Sequence, residues 1–149
     1  MSLMKYILME QRQTKVYDDG EGIWEIHIKN DINQTVGKAY LEEFFEYNWD
    51  VEDVMSEDEF YKWIPTGNYV SLRDISVEVE ERGKGYAKQL MEKVIEFCKD
   101  GGWEYIHLNA SSKDNYRGMN HSQLVNFYKK FGFKVVKNQG NNSIMIAKL

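Results

Sequence analysis

The residues whose types and spacing most clearly suggest a chemical role form one short polar turn, Arg82-Gly83-Lys84-Gly85-Tyr86-Ala87. It follows an apolar run of strand type and precedes a run with helical spacing. Backbone N–H groups at the start of a helix have no intrahelical acceptor, and the helix dipole adds positive charge there. The two glycines let a ligand approach the backbone, and Arg82 and Lys84 add cationic charge. The turn therefore predicts a site for a pyrophosphate or another anion.

Two well-known nucleotide-binding patterns do not fit this turn. The dinucleotide fingerprint G-x-G-x-x-G requires a third glycine at position 88, where Lys88 stands. The P-loop pattern G-x-x-x-x-G-K-[ST] is likewise absent. A dinucleotide or ATP-type site is therefore not expected.

The other reactive side chains are isolated in the sequence. Cys98 falls on the apolar stripe of the segment after the turn, which predicts a buried thiol rather than a nucleophile. His27 and His107 have no neighbours at metal-ligand spacing, so no metal site is predicted. Tyr128 also fits an apolar stripe, and taken alone it predicts a core residue.

A second run near the C-terminus, Phe127-Tyr128-Lys129-Lys130-Phe131-Gly132-Phe133, closes another segment of helical spacing. It resembles the [L/F]-Y-x-K-x-G-F run of the GNAT superfamily of acetyl-CoA-dependent N-acetyltransferases. Arg82, Gly85 and Ala87 occupy the defining positions of that family's [Q/R]-x-x-G-x-[G/A] turn. Two motifs at the right separation are more specific than either alone, and the resemblance extends from about residue 69 to the C-terminus.

The resemblance implies an acetyl-CoA site between two splayed parallel strands, near residues 75–79 and 104–110. A neutral amine would attack the thioester carbonyl directly, without an acyl-enzyme, while a backbone N–H near Val77 polarises that carbonyl. Tyr128 would protonate the departing thiolate as general acid. The implied cofactor-binding residues are Ile75, Val77, Arg82, Gly83, Lys84, Gly85, Tyr86, Ala87, Asn115 and Tyr128.

The general base is less constrained by the sequence. Asp74 lies on the proposed cofactor strand and is the candidate that we name as catalytic. Glu25 and His27, on a neighbouring predicted strand, remain alternatives.

The chain departs from the family pattern around the acceptor. Family members usually carry two helices between their first and second strands, where this chain offers only residues 14–22. An extra segment at residues 47–68 stands instead between the third and fourth strands. Residues 42–63 hold nine acids and one base, which accounts for the formal net charge of −5.

We hypothesise that this segment forms the acceptor wall, with Tyr47, Trp49, Tyr61 and Trp63 packing a cationic or aromatic amine. The alternative is that its aromatic side chains are core and its acids a solvated face.

The elements that position these residues follow from periodicity. Strands are predicted at residues 5–13, 23–29, 34–45, 69–79, 104–110, 133–136 and 142–147. Helices are predicted after the Ser56-x-x-Glu59 capping box, from residue 85 to the glycines at 101 and 102, and over residues 122–131. The expected fold is a GNAT-like α/β mixed sheet with antiparallel N-terminal strands and then β-α-β-α-β-β. Relative to the family pattern, the helices between strands 1 and 2 are reduced, and a segment is inserted between strands 3 and 4.

Length and composition set the remaining expectations. The 149 residues predict a single acyl-CoA N-acyltransferase domain over residues 1–149. Negative charge disfavours nucleic acid as a partner, and no apolar run approaches the ~20 residues of a membrane span. One cysteine excludes an intrachain disulfide, so a cytoplasmic location is expected.

The expected partner is a small-molecule amine, and the resemblance makes a homodimer a candidate assembly. The alternative functions are a catalytically silent acyl-CoA-binding or sensing module and a protein or peptide N-acetyltransferase.

Overall fold

One mixed β-sheet organises the chain in the computed structural model, which describes residues 14–43, 45–47, 49–111 and 119–149. The described strands run in the order β1-β2-β3-β4-β5-β7-β6, and only β4 and β5 are parallel neighbours. The strands are β1 (Thr14–Asp18), β2 (Ile23–Lys29), β3 (Thr35–Glu42), β4 (Tyr69–Val77), β5 (Tyr105–Ser111), β6 (Lys134–Gln139) and β7 (Asn142–Lys148). The helices are α1 (Trp49–Glu52), α2 (Glu57–Trp63), α3 (Tyr86–Asp100) and α4 (His121–Lys129), and a 3-10 turn covers Val79–Glu81. The mixed α/β fold predicted from the sequence is confirmed.

Strand β1 corrects the prediction for residues 14–22, which the sequence placed in a connection. Thr14–Asp18 pairs antiparallel with β2, and Val16 packs against the core. Five residues are too few to show clear alternation, so pairing with the strongly alternating β2 decides their conformation. The strand predicted at residues 5–13 lies outside the described residues.

Two strands end earlier than predicted. Strand β3 stops at Glu42 rather than 45, and β4 stops at Val77 rather than 79. After Val77 the Glu78 N–H still bonds Val36 O at 2.8 Å, and the chain then turns through the 3-10 turn toward α3.

The inserted segment between β3 and β4 forms the two short helices α1 and α2. Ser56 caps α2, since its side chain accepts a hydrogen bond from the Glu59 N–H at 3.2 Å. The Glu59 carboxylate also accepts from Lys137 Nζ of β6 at 3.0 Å. The insertion is therefore fastened to the far edge of the sheet.

Helix α3 packs on the sheet through the predicted apolar stripe. Leu90, Met91, Val94 and Cys98 are all 0% exposed. They join one large core cluster with side chains of β2, β3, β4, β5 and α4. Truncating one of them, as in Leu90→Ala, would cost about 2–5 kcal/mol through lost burial and the cavity left behind.

The two faces of the sheet have different coverings. On β5, Ile106, Leu108 and Ala110 join the large cluster with α3 and α4. His107 points to the opposite face, where the ring of Phe45 stacks on it at 3.6 Å between centroids. We call this second face the insertion face, because the insertion packs there around Phe60 and the β7 residue Ile144. Among the described residues, no helix is long and apolar enough to cross a membrane.

Candidate active site

The parallel strands β4 and β5 separate partway along their length. They pair only at Tyr69↔Tyr105, Val70↔Ile106 and Ser71↔His107. Both strands then continue, to Val77 and Ser111. Beyond Ser71, the main chain of β4 therefore opens into a gap on its β5 side, which is the splay that the resemblance implied.

A pocket of about 440 Å³ lies at this gap. Its first wall is the end of β4, with Ile75, Ser76 and Val77. Its floor is the polar turn, and its second wall is α4. Two distant motifs of the sequence thus meet across one cavity.

The turn presents its backbone to the pocket. Gly85 is the N-cap of α3 and has φ 84° and ψ 8°, in the left-handed region. Gly83 has φ 80°. A Cβ added at either glycine would meet no atom within 4 Å, so the space in front of both is open. Free first-turn N–H groups beside open space fit a pyrophosphate.

The cationic side chains near the turn are not equivalent. Arg82 folds back, and its Nε donates to Val77 O at 3.3 Å while the residue still lines the pocket. Lys84 Nζ donates to Glu81 at 2.8 Å, which raises the pKa of Lys84 and turns this predicted cofactor ligand away from the lining. Lys88, which we did not predict, lines the pocket. Its position one turn into α3 was the available signal, because side chains there lie beside the helix N-terminus.

Helix α4 supplies the apolar wall. Tyr128 is 4% exposed and lies 5.4 Å from Phe127 and 5.8 Å from Phe133 between ring centroids. Leu124 and Phe127 line the pocket beside it, together with Met119 before the helix. Sequence reasoning missed these three, although Leu124 shares the face of Tyr128 at i, i+4 spacing. Asn115, the remaining predicted cofactor residue, lies outside the described residues.

Asp74 lies on the insertion face and does not line the pocket. The pairing of β3 with β4 skips Arg73, so the ladder passes from Leu41↔Leu72 to Tyr40↔Asp74. This bulge puts Asp74 on the same face as Tyr40, which is 43% exposed. Residues directly opposite in adjacent strands share a face.

The other two base candidates lie on that same face. Glu25 pairs with Tyr40, so Glu25, Tyr40 and Asp74 form a row across three strands. His27 begins the next row, opposite Lys38. Burial lowers the pKa of His27 and Glu25 opposes this shift, so the imidazole is largely neutral at neutral pH. The three sequence candidates are thus collected on one side of β2, β3 and β4.

The predicted acceptor residues lie on the insertion, away from the 440 Å³ pocket. Tyr47 packs against the small core around Phe60, whereas Tyr61 and Trp63 are 67% and 60% exposed. Trp49 belongs to α1, and its side chain is outside the described atoms. Burial raises the pKa of Tyr47, and the carboxylates of Glu52, Glu57 and Asp53 raise it further.

Two other reactive side chains are structural. Cys98 is fully buried, and desolvation raises the pKa of its thiol to about 12, which confirms the predicted core thiol. Burial lowers the pKa of His107 to about 3, with a further contribution from Arg73. His107 Nδ1 lies 3.3 Å from Ser71 Oγ at the last paired position before the gap. A neutral, stacked imidazole therefore occupies the point at which the strands diverge.

Several solved structures share this fold. The PaiA N-acetyltransferase from Thermoplasma acidophilum, in complex with coenzyme A, is 20% identical with a TM-score of 0.57; the match covers 86% of this chain and 62% of that one. The NatC complex bound to Gag peptide and CoA is 18% identical with a TM-score of 0.57, over 100% and 80% of the two chains. Nourseothricin acetyltransferase is 16% identical with a TM-score of 0.56, over 90% and 69%.

Sequence comparison identifies the family. No protein with a curated description matches the chain at a significant level. The sequence profile of the acetyltransferase (GNAT) domain matches residues 26–135, which is most of the chain. That range contains the turn, both splayed strands and Tyr128. The chain therefore belongs to the family of GNAT acetyltransferases, as its two motifs predicted.

Proposed function

We propose that this chain transfers the acetyl group of acetyl-CoA to the primary amine of a small cationic or aromatic molecule by direct attack. The observation that carries the proposal is one pocket, at the β4–β5 gap, lined by residues of the glycine turn before α3 and by Tyr128. Acetyl-CoA supplies an activated thioester there. The amine nitrogen bonds to the carbonyl carbon, the C–S bond breaks, one proton leaves the nitrogen and one joins the sulfur.

Tyr128 is the proposed general acid. Its ring packs against Phe127 and Phe133 in the α4 wall, and the residue lines the pocket. A tyrosine hydroxyl beside the thioester can donate its proton to the leaving thiolate.

Asp74 is the proposed base on the acceptor side. It stands on β4 one residue before Ile75, which lines the pocket, but its side chain shares the insertion face with Tyr40. An amine that approached from that face would meet the carboxylate before it met the thioester. Glu25 and His27, in the same and the next row, are the alternative bases.

The inserted segment is the proposed acceptor wall. Phe45, just before the insertion, stacks on His107, the residue at which the strands diverge, and also packs against Phe60 of α2, so the insertion lies beside the gap on the insertion face. The carboxylates of Glu52, Glu57 and Asp53 contribute to the raised pKa of Tyr47, so negative charge is clustered around this side chain. Clustered negative charge raises the local concentration of a cationic amine and favours its approach. The location in the cytoplasm and the homodimer stay predictions.

Two other functions have some support. A silent acyl-CoA-binding module would keep the turn and the pocket. A protein or peptide N-acetyltransferase is suggested by the fold shared with the peptide-bound NatC complex.

The deciding experiment measures thiol release from acetyl-CoA over a panel of amines. The panel holds a polyamine, an aromatic amine, an aminoglycoside and short peptides with free N-termini. We expect thiol release with a small amine. The Gly85→Asp variant, which we expect not to bind acetyl-CoA, serves as the negative control. Coenzyme A binding with no release over any amine would reject the enzyme in favour of the module. Release with peptides alone would reject the small-molecule acceptor.

A further inference from the structure

Three side chains link the start of α4 to the β6–β7 hairpin. His121 Nε2 lies 2.9 Å from Ser143 Oγ, and the Ser143 hydroxyl donates to Asn138 Oδ1. Ser143 is 0% exposed. It pairs with Asn138 of β6 on one side and with Ala110 of β5 on the other. The first residue of the helix is therefore bonded to the middle of three strands.

The tautomer of His121 is assigned from the hydrogen bond that Ser143 donates to Asn138. A serine hydroxyl has one proton, and Ser143 donates it to Asn138. Ser143 Oγ can then only accept from His121, so Nε2 carries the imidazole proton. Nδ1 is buried and has no hydrogen-bond partner within the described part of the chain. Only a donor at position 121 can complete this link.

The link bears on the pocket through the face of α4 that it holds. His121, Leu124 and Tyr128 follow the i, i+3, i+7 spacing of one helix face, and the last two line the pocket. The capping box of Asn120 and Gln123 provides hydrogen-bond acceptors for backbone N–H groups at the start of α4. It cannot place the helix on the sheet, because both residues move with the helix. The hydrogen bond from His121 to Ser143 joins this end of the helix to the sheet.

We propose that His121 is a positioning residue, whose Nε2–H fixes α4 on the hairpin and thereby sets where Tyr128 stands on the pocket. The kinetic consequence rests on the proposed acetyl transfer, whereas the structural consequence does not. The pyrophosphate cradle at residues 83–87 lies at the start of α3 and not on α4, so we expect coenzyme A affinity to depend less on this link than kcat does.

Two isosteric variants test the direction of the bond. In His121→Gln the amide nitrogen stands about as far from the backbone as imidazole Nε2 and can donate to Ser143. In His121→Glu a group of the same length can only accept once ionised, although a carboxylate in the first turn suits the helix dipole. We expect kcat within about threefold of wild type for Gln and about 30-fold lower for Glu, because small misplacement of a catalytic group is costly. The coenzyme A dissociation constant should stay within about threefold in both, and the exposed neighbour Ser122→Ala is the matched control.

Ser143→Ala provides a second route to the same loss. It should lower kcat as His121→Glu does. The double variant, His121→Glu with Ser143→Ala, should have a kcat no lower than that of either single variant, because both substitutions remove the same link. Ring signals of Tyr128 in NMR spectra should shift in the Glu and Ala variants but not in the Gln variant. Additive effects, or equal kcat and equal Tyr128 signals for Gln and Glu, would overturn the proposal. A wild-type chain that acetylates no amine, with Tyr128 signals that still separate Gln from Glu, would reject the proposed function and retain the positioning role.

Discussion

Substitution of Gly85 by the isosteric pair Asp and Asn separates the charge of the turn from its shape. Gly85 has left-handed φ and ψ of 84° and 8°, and a side chain there would enter the open space before α3. Asp and Asn tolerate this conformation better than other residues and fill the same volume. Both variants therefore place an equal obstruction in the cradle, and only Asp adds a negative charge.

The magnitude of the charge effect follows from distance. A carboxylate on Gly85→Asp would lie about 5 Å from an anion on the first-turn N–H groups, and two unit charges at that distance repel by about 3 kcal/mol at an effective dielectric of 20. Solvent screening reduces this value, so we expect coenzyme A to bind about 10- to 200-fold more weakly to Asp than to Asn. The folding stability of the ligand-free chain should move the other way. A carboxylate at a helix N-terminus is worth about 0.3–1 kcal/mol, so Asp should unfold no more easily than Asn.

Titration calorimetry with coenzyme A and urea denaturation measure these two quantities on the same samples. The expected pattern is weaker binding together with equal or greater stability for Gly85→Asp relative to Gly85→Asn. Equal affinity in the two variants would refute the assignment of the turn as the pyrophosphate site. Weaker binding that merely follows lower stability would show that unfolding, and not charge, is responsible.

Three further predictions address the acid, the acceptor and the insertion. Tyr128→Phe keeps the ring packing, so kcat should fall about 10- to 100-fold while coenzyme A affinity changes by less than about threefold; unchanged turnover would remove Tyr128 from the acid role. Replacing the exposed Glu57 and Asp58 by Gln and Asn should raise the KM for a cationic amine about three- to tenfold at low salt, and the increase in KM should be smaller at high salt. An unchanged KM would exclude these two residues from the acceptor wall. The hydrogen bond from Lys137 lowers the pKa of Glu59 below its usual 4.5. Wild type should therefore be more stable than Glu59→Gln at pH 7 and should lose that advantage as the pH falls below 4.5. A difference in urea midpoints that does not change with pH would contradict this.

The local features of the site were readable from the sequence because each depends on neighbours in the chain. The glycine turn before α3 and the stripe that buries Cys98 are set by spacing over one or two helical turns. The second motif was likewise readable, because Tyr128 and Phe133 lie within six positions of each other. Strand β1 was missed because its conformation depends on pairing with β2 rather than on its own five residues.

Two side-chain contacts, one local and one between distant parts of the chain, could not be predicted from the sequence. Lys84 looked like a phosphate ligand, but its ammonium bonds Glu81 in the folded turn. The link from His121 to Ser143 spans 22 positions and exists only once α4 lies on the hairpin. Its sequence signal is a histidine and a serine with no fixed spacing, so no pattern search would have found it.

The sequence by itself identified the family and predicted the donor site and most of the elements, because glycine geometry, helical periodicity and capping act within a few residues. The tertiary structure decided which groups lie on the insertion face, where we propose that the acceptor binds. Strict alternation from Leu72 would have put Asp74 into the core and Ile75 on the opposite face. The bulge at Arg73 reverses this by one residue, because the sheet register is set by pairing with β3. That single shift places Asp74 in the row with Tyr40 and Glu25, and it leaves Ile75 on the pocket.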